Sequence, residues 1–139
     1  MTRYDCFDIN IEENVAHIVL NRPEKRNSMI PAFWEQLPAA IADIDDNAKA
    51  RAIVISSTGP VFSAGMDLAA FAPNSAKTPD EARTNRIRHG AAFYDTARKT
   101  QATFNALENC RLPILAAIQG GCVGGGVDMV TACDMRYAT

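Results

Sequence analysis

Residues 118–134 read IQGGCVGGGVDMVTACD, an apolar run that breaks into glycines and then reaches Asp128. Glycine opens the peptide N–H groups to close approach, and a helix beginning at Gly124 to Gly126 turns its unpaired donors outward. Such a turn suits an oxygen that carries or develops negative charge. A second glycine-bearing turn, FSAGMDL at residues 62–68, also follows an apolar run. Both turns would lie at the carboxyl ends of neighbouring strands, where α/β sheets place their ligands.

Other chemistries fit these residues poorly. Gly121, Gly124, Gly125 and Gly126 do not follow the GxGxxG order of a dinucleotide fingerprint, and the lysine and hydroxyl pair of a P-loop is missing. Ser63 has no histidine and acid to activate it, which rejects a serine hydrolase. Cys6, Cys110, Cys122 and Cys133 form no CxxC pair and have no histidine at zinc spacing. They read as free, mostly buried thiols in a reducing compartment, with no metal expected. Arg22, Lys25 and Arg26 cluster in the loop NRPEKRN. Arg83, Arg86, Arg88, His89, Arg98 and Lys99 fall on a helical stretch, mostly as its solvated face, and His89 has no catalytic partner.

The elements that position the turns follow from periodicity. Phe7 to Ile11 and Val15 to Leu20, joined by Glu12, Glu13 and Asn14, predict an antiparallel hairpin. Pro31 to Asp45 sets Phe33, Leu37, Ile41 and Ile44 at helical spacing, with Pro31 in the first turn; Pro38 is expected to kink or divide this helix. Ala52 to Ser56 reads as a strand buried on both faces. Ser57 to about Thr78 is expected to be a long functional loop. Pro79 to about Asn109 is helical, with Ile87, Ala91, Tyr94, Phe104 and Leu107 as a buried stripe and Gly90 as its weak point. Leu112 to Ile118 is a second buried strand, followed by the glycine turn and a helix from Gly124 to about Cys133. Residues 135–139, MRYAT, form a strand-prone tail, as though cut within an element. Alternating strands and helices imply right-handed crossovers and a layered α/β fold.

Composition bounds the function classes. The chain has 139 residues, 47% hydrophobic and 22% charged, ordinary for one globular domain with a real core. Its longest apolar run, Ile114 to Ile118, is far below the roughly 20 residues that cross a bilayer. The charged opening MTRYDCFDIN has no apolar signal region, so a cytoplasmic protein is expected. A net charge of −2 gives no general attraction to nucleic acid or to membrane surfaces.

The segments NRPEKRNSM, FSAGMDL and PILAAIQGGCVGGGVDMVTACDMRYA, in that order and separation, resemble the enoyl-CoA hydratase/isomerase (crotonase) superfamily. The resemblance covers nearly all of the chain, yet only the N-terminal half of the usual family domain. It implies an α/β fold of the crotonase-like (ClpP/crotonase) type, a ββα spiral core, with residues 1–139 as its N-terminal portion, truncated before the C-terminal helical region. The run GGCVGGGVDMVTACDMRY looks most like the dienoyl-CoA isomerase branch, because Asp128 stands where typical hydratases carry glutamate.

The resemblance also implies roles. The backbone N–H groups of Met66 and Gly125 would form an oxyanion hole, since enolising an acyl thioester, or adding water to its enoyl form, puts negative charge on the thioester oxygen. Asp128 would face the same pocket. Burial among Val127, Met129 and Val130 would raise its pKa, and the helix N-terminus would lower it. In the isomerase branch the proton shuttle relies mainly on two acids downstream of Thr139, which leaves Asp128 as an assisting carboxylate. Asp134 reads as structural. Arg22, Lys25 and Arg26 would lie near the nucleotide of coenzyme A, and Ala64, Gly65, Met66, Asp67, Leu68 and Gly125 would shape the substrate channel.

Coenzyme A is then part of the substrate, and no separate cofactor is expected. The implied reaction is dienoyl-CoA isomerisation in fatty-acid metabolism, with enoyl-CoA hydration as the alternative. A reading of another class is a catalytically deficient acyl-CoA-binding or assembly fragment. Family members commonly form trimers or pairs of trimers, so a homo-oligomer is implied, and a half-domain is expected to expose apolar surface.

Overall fold

The computed structural model describes residues 1–71 and 79–139, with the side chains of residues 71, 79–87 and 89 excepted. The side chains of Arg83, Arg86, Ile87 and His89 therefore lie outside the described residues. In chain order the elements are β1 (Thr2–Arg3), β2 (Phe7–Glu12), β3 (Val15–Leu20), α1 (Pro31–Asp46), β4 (Ala52–Ser57) and β5 (Val61–Ser63), then α2 (Pro79–Glu108), β6 (Ile114–Ile118), β7 (Gly121–Cys122), α3 (Gly125–Thr131) and β8 (Met135–Ala138). Two 3₁₀ turns, Pro23–Lys25 and Leu68–Phe71, precede α1 and α2 respectively.

The predicted hairpin forms. β2 and β3 pair antiparallel from Phe7 opposite Leu20 to Glu12 opposite Val15, and Glu13 and Asn14 both take positive φ in the two-residue turn, as the twist of a tight hairpin requires. From β3 the sheet continues in parallel through β4, β6 and β8, in the order β1-β2-β3-β4-β6-β8. β5 and β7 form a separate small parallel pair. The 57–78 stretch is thus no uniform loop, because β5 and the second 3₁₀ turn interrupt it.

Ile18, Ile53, Ile55, Ile114 and Ala116 on one face of the sheet share a core cluster with Phe33, Leu37, Ile41 and Ile44 of α1, Leu107 of α2 and Met129 of α3. Burying each large apolar side chain there contributes about 1.5–3 kcal/mol. The opposite face differs from expectation. Ala52, Val54 and Ser56 of β4 are only half-buried, since the helices place their buried residues on the inner face alone. The α2 stripe is also shorter than expected: Leu107 is buried and Phe104 half-buried, but Ala91 and Tyr94 are exposed, as are Arg88, Arg98 and Lys99. Among its described side chains, apolar contact with the core is confined to the last turns.

Pro38 does not divide α1, which runs as one helix from Pro31 to Asp46. A proline lacks the N–H that would bond the carbonyl four residues back, here that of Trp34. The buried hydroxyl of Thr103 on α2 lies 3.0 Å from that carbonyl and 3.1 Å from the Lys99 carbonyl one turn back on its own helix. Donating to the first, it replaces the missing intrahelical bond with one that joins two helices. A second tie between distant segments is Arg111, whose Nε reaches Asp45 Oδ1 at 2.8 Å beside the end of α1. No helix among the described residues is long and apolar enough to cross a membrane.

Candidate active site

Asn27 organises the two loops at the carboxyl ends of β3 and β4. It is 4% exposed and has positive φ, and its side chain meets three partners. Oδ1 accepts from the Arg22 N–H at 2.9 Å, and Nδ2 donates to the carbonyls of Thr58 and Val61 at 2.8 and 2.9 Å. A buried amide with its polar atoms paired fixes geometry, and its hydrogen bonds offset the cost of leaving water. Ser63, fully buried, extends the network: its hydroxyl donates to the Asn27 carbonyl at 2.9 Å and accepts from the Gly65 N–H at 3.0 Å. Ser63 is therefore a strut of the FSAGMDL turn, in keeping with the rejection of a nucleophilic serine.

That strut presents Met66. Met29 forms a parallel bridge with Met66, in which the Met29 N–H donates to the Gly65 carbonyl at 2.8 Å and the Asp67 N–H donates to the Met29 carbonyl at 2.9 Å. Both bonds use the neighbours of Met66, so its own N–H faces the other way. Gly125 is the first residue of α3, where a helix N–H has no intrahelical acceptor. Among the described residues neither the Met66 nor the Gly125 N–H meets an acceptor.

The two turns are pressed together. Gly65 has φ +79°, and a β-carbon there would stand 2.7 Å from the Val123 carbonyl oxygen and 2.9 Å from the Gly125 nitrogen. A β-carbon on Gly125 would lie 3.8 Å from the Met66 nitrogen, 3.2 Å from Met29 Sδ and 3.4 Å from Trp34 Cη2. The sequence-derived pair of donors is thus adjacent in space, with Gly65 between them. A side chain at Gly65 or Gly125 would fill the space beside both nitrogens.

Asp128 lies one turn beyond Gly125, and its N–H donates to the Gly124 carbonyl at 3.3 Å. It is exposed, contrary to the burial expected among Val127, Met129 and Val130; Met129 and Val130 turn inward, whereas Asp128 and the 43%-exposed Val127 turn out. Asp128 lines a groove of about 440 Å³ between α2 and α3, together with Phe104, Asn105 and Glu108. Glu108 had no local signal, since it shares the groove only through the packing of α2 on α3. The expected helix from Gly124 to Cys133 is shorter at both ends, and Asp134 lies beyond it. Asp134 is structural as expected: its Oδ2 accepts from the Ile114 N–H at 2.7 Å, aligning β6 with β8.

The basic loop divides in two. Arg22 is largely buried, donates through Nη1 to the Ser28 carbonyl at 2.6 Å, and has Nη2 3.8 Å from Asp67 Oδ2. The same Asp67 oxygen accepts from the Ser28 hydroxyl at 3.0 Å. Arg22 and Asp67 thus tie the two loops together. Lys25 and Arg26 are exposed on the 3₁₀ turn and its cap. Ala64 is half-buried, its N–H donating to the Arg26 carbonyl at 2.8 Å, and Leu68 is 79% exposed beside it.

All four cysteines are free; Cys6 and Cys133 are buried, Cys110 and Cys122 half-buried. Burial pushes the Cys122 thiol up, and at Cys133 it pushes the value to about 12. No group of three or more metal-ligating side chains gathers among the described residues.

The family model described as enoyl-CoA hydratase/isomerase matches residues 10–139. A mitochondrial Delta(3,5)-Delta(2,4)-dienoyl-CoA isomerase of Rattus norvegicus is 42% identical over 128 residues, covering 92% of this chain and 38% of the relative. A peroxisomal protein of the same name from Arabidopsis thaliana is 35% identical, covering 100% of this chain and 50% of the relative. Among solved structures, a putative enoyl-CoA hydratase/isomerase family protein from Hyphomonas neptunium superposes with a TM-score of 0.74 at 31% identity, covering 96% of this chain and 47% of that one. The chain spans half or less of the length of these curated relatives.

Proposed function

The chain belongs to the enoyl-CoA hydratase/isomerase family, and from that premise we propose that it binds an acyl-CoA thioester and stabilises its enolate, with dienoyl-CoA isomerisation as the reaction. Moving double bonds from the 3,5 to the 2,4 positions removes a proton at C2 and adds one at C6. Between those steps the electron pair spreads onto the thioester oxygen. The observation that carries the reading is the adjacency of the Met66 and Gly125 N–H groups, neither with an acceptor among the described residues. Each such donor is worth roughly 2.7–4 kcal/mol of transition-state stabilisation.

Asp128 is the carboxylate we assign beside that oxygen, as a group that assists proton transfer from the α2–α3 groove. Lys25 and Arg26, exposed and close together, are assigned to the phosphates of coenzyme A, and Ala64, Gly65 and Leu68 to the channel that leads from them. Arg22 and Asp67 act one step back, by holding the loops. Exposed Leu68, Val123, Val127, Met135 and Tyr137 favour a homo-oligomer. For location we propose a reducing compartment, which four free thiols favour; the two isomerases above are mitochondrial and peroxisomal by name, so cell fractionation is the measurement that separates cytoplasm from organelle.

The test is turnover of 3,5-dienoyl-CoA, followed by the absorbance of the conjugated 2,4-dienoyl product, for the wild-type chain and Asp128→Asn. Isomerisation that the substitution depresses supports the proposal. Hydration of 2-enoyl-CoA without isomerisation would move the assignment to the hydratase reaction. Saturable acyl-CoA binding with neither reaction is what the binding or assembly alternative expects, a reading favoured by the exposure of Asp128.

A further inference from the structure

Trp34, the only tryptophan in the chain, lies at the junction of three helices. Its ring packs edge-on against Phe33 of α1 at 5.2 Å and Phe104 of α2 at 5.7 Å between centroids. Its Cη2 is the atom that a β-carbon on Gly125 would meet at 3.4 Å. The Thr103 hydroxyl holds its carbonyl from α2. Phe104 in turn lines the groove that contains Asp128. One side chain thus faces the first residue of α3 across the space of its missing β-carbon and packs on the aromatic wall of the groove.

The indole is 7% exposed, yet its Nε1 has no hydrogen-bond partner among the described residues. Buried donors are nearly always paired, and an exception calls for a reason. Hydrogen bonding does not supply one for tryptophan at this position, so shape must. Among side chains, the indole is the largest flat surface available to back a glycine that has no side chain of its own to anchor it. Met29 Sδ fills the adjoining side at 3.2 Å from the same β-carbon position.

We propose that Trp34 is a positioning residue for the anion-stabilising pair: its ring, held edge-on between Phe33 and Phe104, is the surface that sets the Gly125 N–H relative to that of Met66. This rests on the enolate-stabilising reading above, and the test is chosen to separate the two. A displacement of about 1 Å in a preorganised group costs on the order of 100-fold in rate. Trp34→Phe removes ring area without breaking a described hydrogen bond of the side chain.

The experiment compares the wild-type chain, Trp34→Phe and Ile44→Val, the last a buried α1 substitution remote from Gly125 that reports plain loss of stability. The first readout needs no substrate: the ¹⁵N amide resonance of Gly125. The second is kcat and KM for 3,5-dienoyl-CoA. Trp34→Phe is expected to shift the Gly125 resonance and to lower kcat about 10- to 100-fold with KM changed less than about twofold. Ile44→Val should leave the resonance, kcat and KM unchanged. A Gly125 amide that behaves alike in both variants overturns the proposal, whatever the activity. If no variant turns over substrate while the Gly125 amide responds to Trp34→Phe alone, the positioning role stands and the assigned reaction falls. Should Trp34→Phe not fold, Trp34→Tyr is read by the same criteria.

Discussion

Gly65 and Gly125 stand so close that a β-carbon on the first would lie 2.9 Å from the amide nitrogen of the second. Gly65→Ala must therefore part the two turns, and it also imposes φ +79° on a residue with a β-carbon. The strain alone is expected to cost about 1–2 kcal/mol of stability. Separating the donors should lower kcat by roughly 100- to 1,000-fold, the loss typical of one oxyanion donor. Steady-state kinetics with a denaturation curve checks both, and an unimpaired kcat would mean that the two N–H groups do not act on one oxygen.

Arg22, Lys25 and Arg26 share one loop but are expected to respond differently to substitution. Arg22→Ala breaks the clamp to Ser28 and Asp67, leaves a largely buried carboxylate without its cation, and should lower the melting temperature by several degrees. Lys25→Ala and Arg26→Ala touch exposed side chains, so their stability change should stay within about 0.5 kcal/mol. Their effect should fall on coenzyme A affinity, and it should shrink as salt screens the phosphates. Thermal melts beside calorimetric titration of coenzyme A at two ionic strengths separate the roles.

Thr103→Val should destabilise the protein by about 1–3 kcal/mol, because it strands the Trp34 carbonyl inside the core. In a Pro38→Ala background the restored N–H can bond that carbonyl within α1, and the same substitution should then cost less. A double-mutant cycle by urea denaturation reads the coupling directly. Additive costs would show that Thr103 does not replace the bond Pro38 removes.

Burial holds the Cys133 thiol protonated, raising its pKa from 9.0 to about 12. Below pH 9 both folded and unfolded chains carry the proton, and stability does not depend on this group. Between pH 9 and about 12 the unfolded chain loses the proton first and binds fewer protons than the native one, so stability falls as pH rises. The slope approaches about 1.4 kcal/mol per pH unit for a single thiol. Denaturation midpoints measured in reductant from pH 8 to 10.5 should decline, and Cys133→Ala should flatten part of that decline. Cys6, also raised by burial, adds to the same trend.

Local pattern carried the reading wherever local physics decides the outcome. The hairpin, the Phe33 to Ile44 face of α1 and the two glycine turns are legible because side-chain period and backbone permissiveness act over a few residues. What covers a surface is not local. Nothing near Val54 or Asp128 in the sequence tells whether another element will lie over it, and both are more open than their apolar neighbours suggested. The pairing of Arg22 with Asp67 links residues 45 apart and left no trace in either loop. Thr103 did leave one: a proline within a helix frees a carbonyl four residues back, and a hydroxyl on a helix that packs against it is a natural substitute donor.

Asn27 and Ser63 have a consequence for the order of folding. Their bonds join positions 31 to 36 residues apart, and they can close only after α1 has carried the chain from β3 back to β4. Contacts of that span follow loop closure. In pulse-labelled refolding, the amides of the local β2–β3 hairpin should gain protection before those of Met29 and Ala64. A chain caught between the two stages would hold its hairpin but not the paired glycine turns, which makes the proposed ligand competence a late acquisition of this polypeptide.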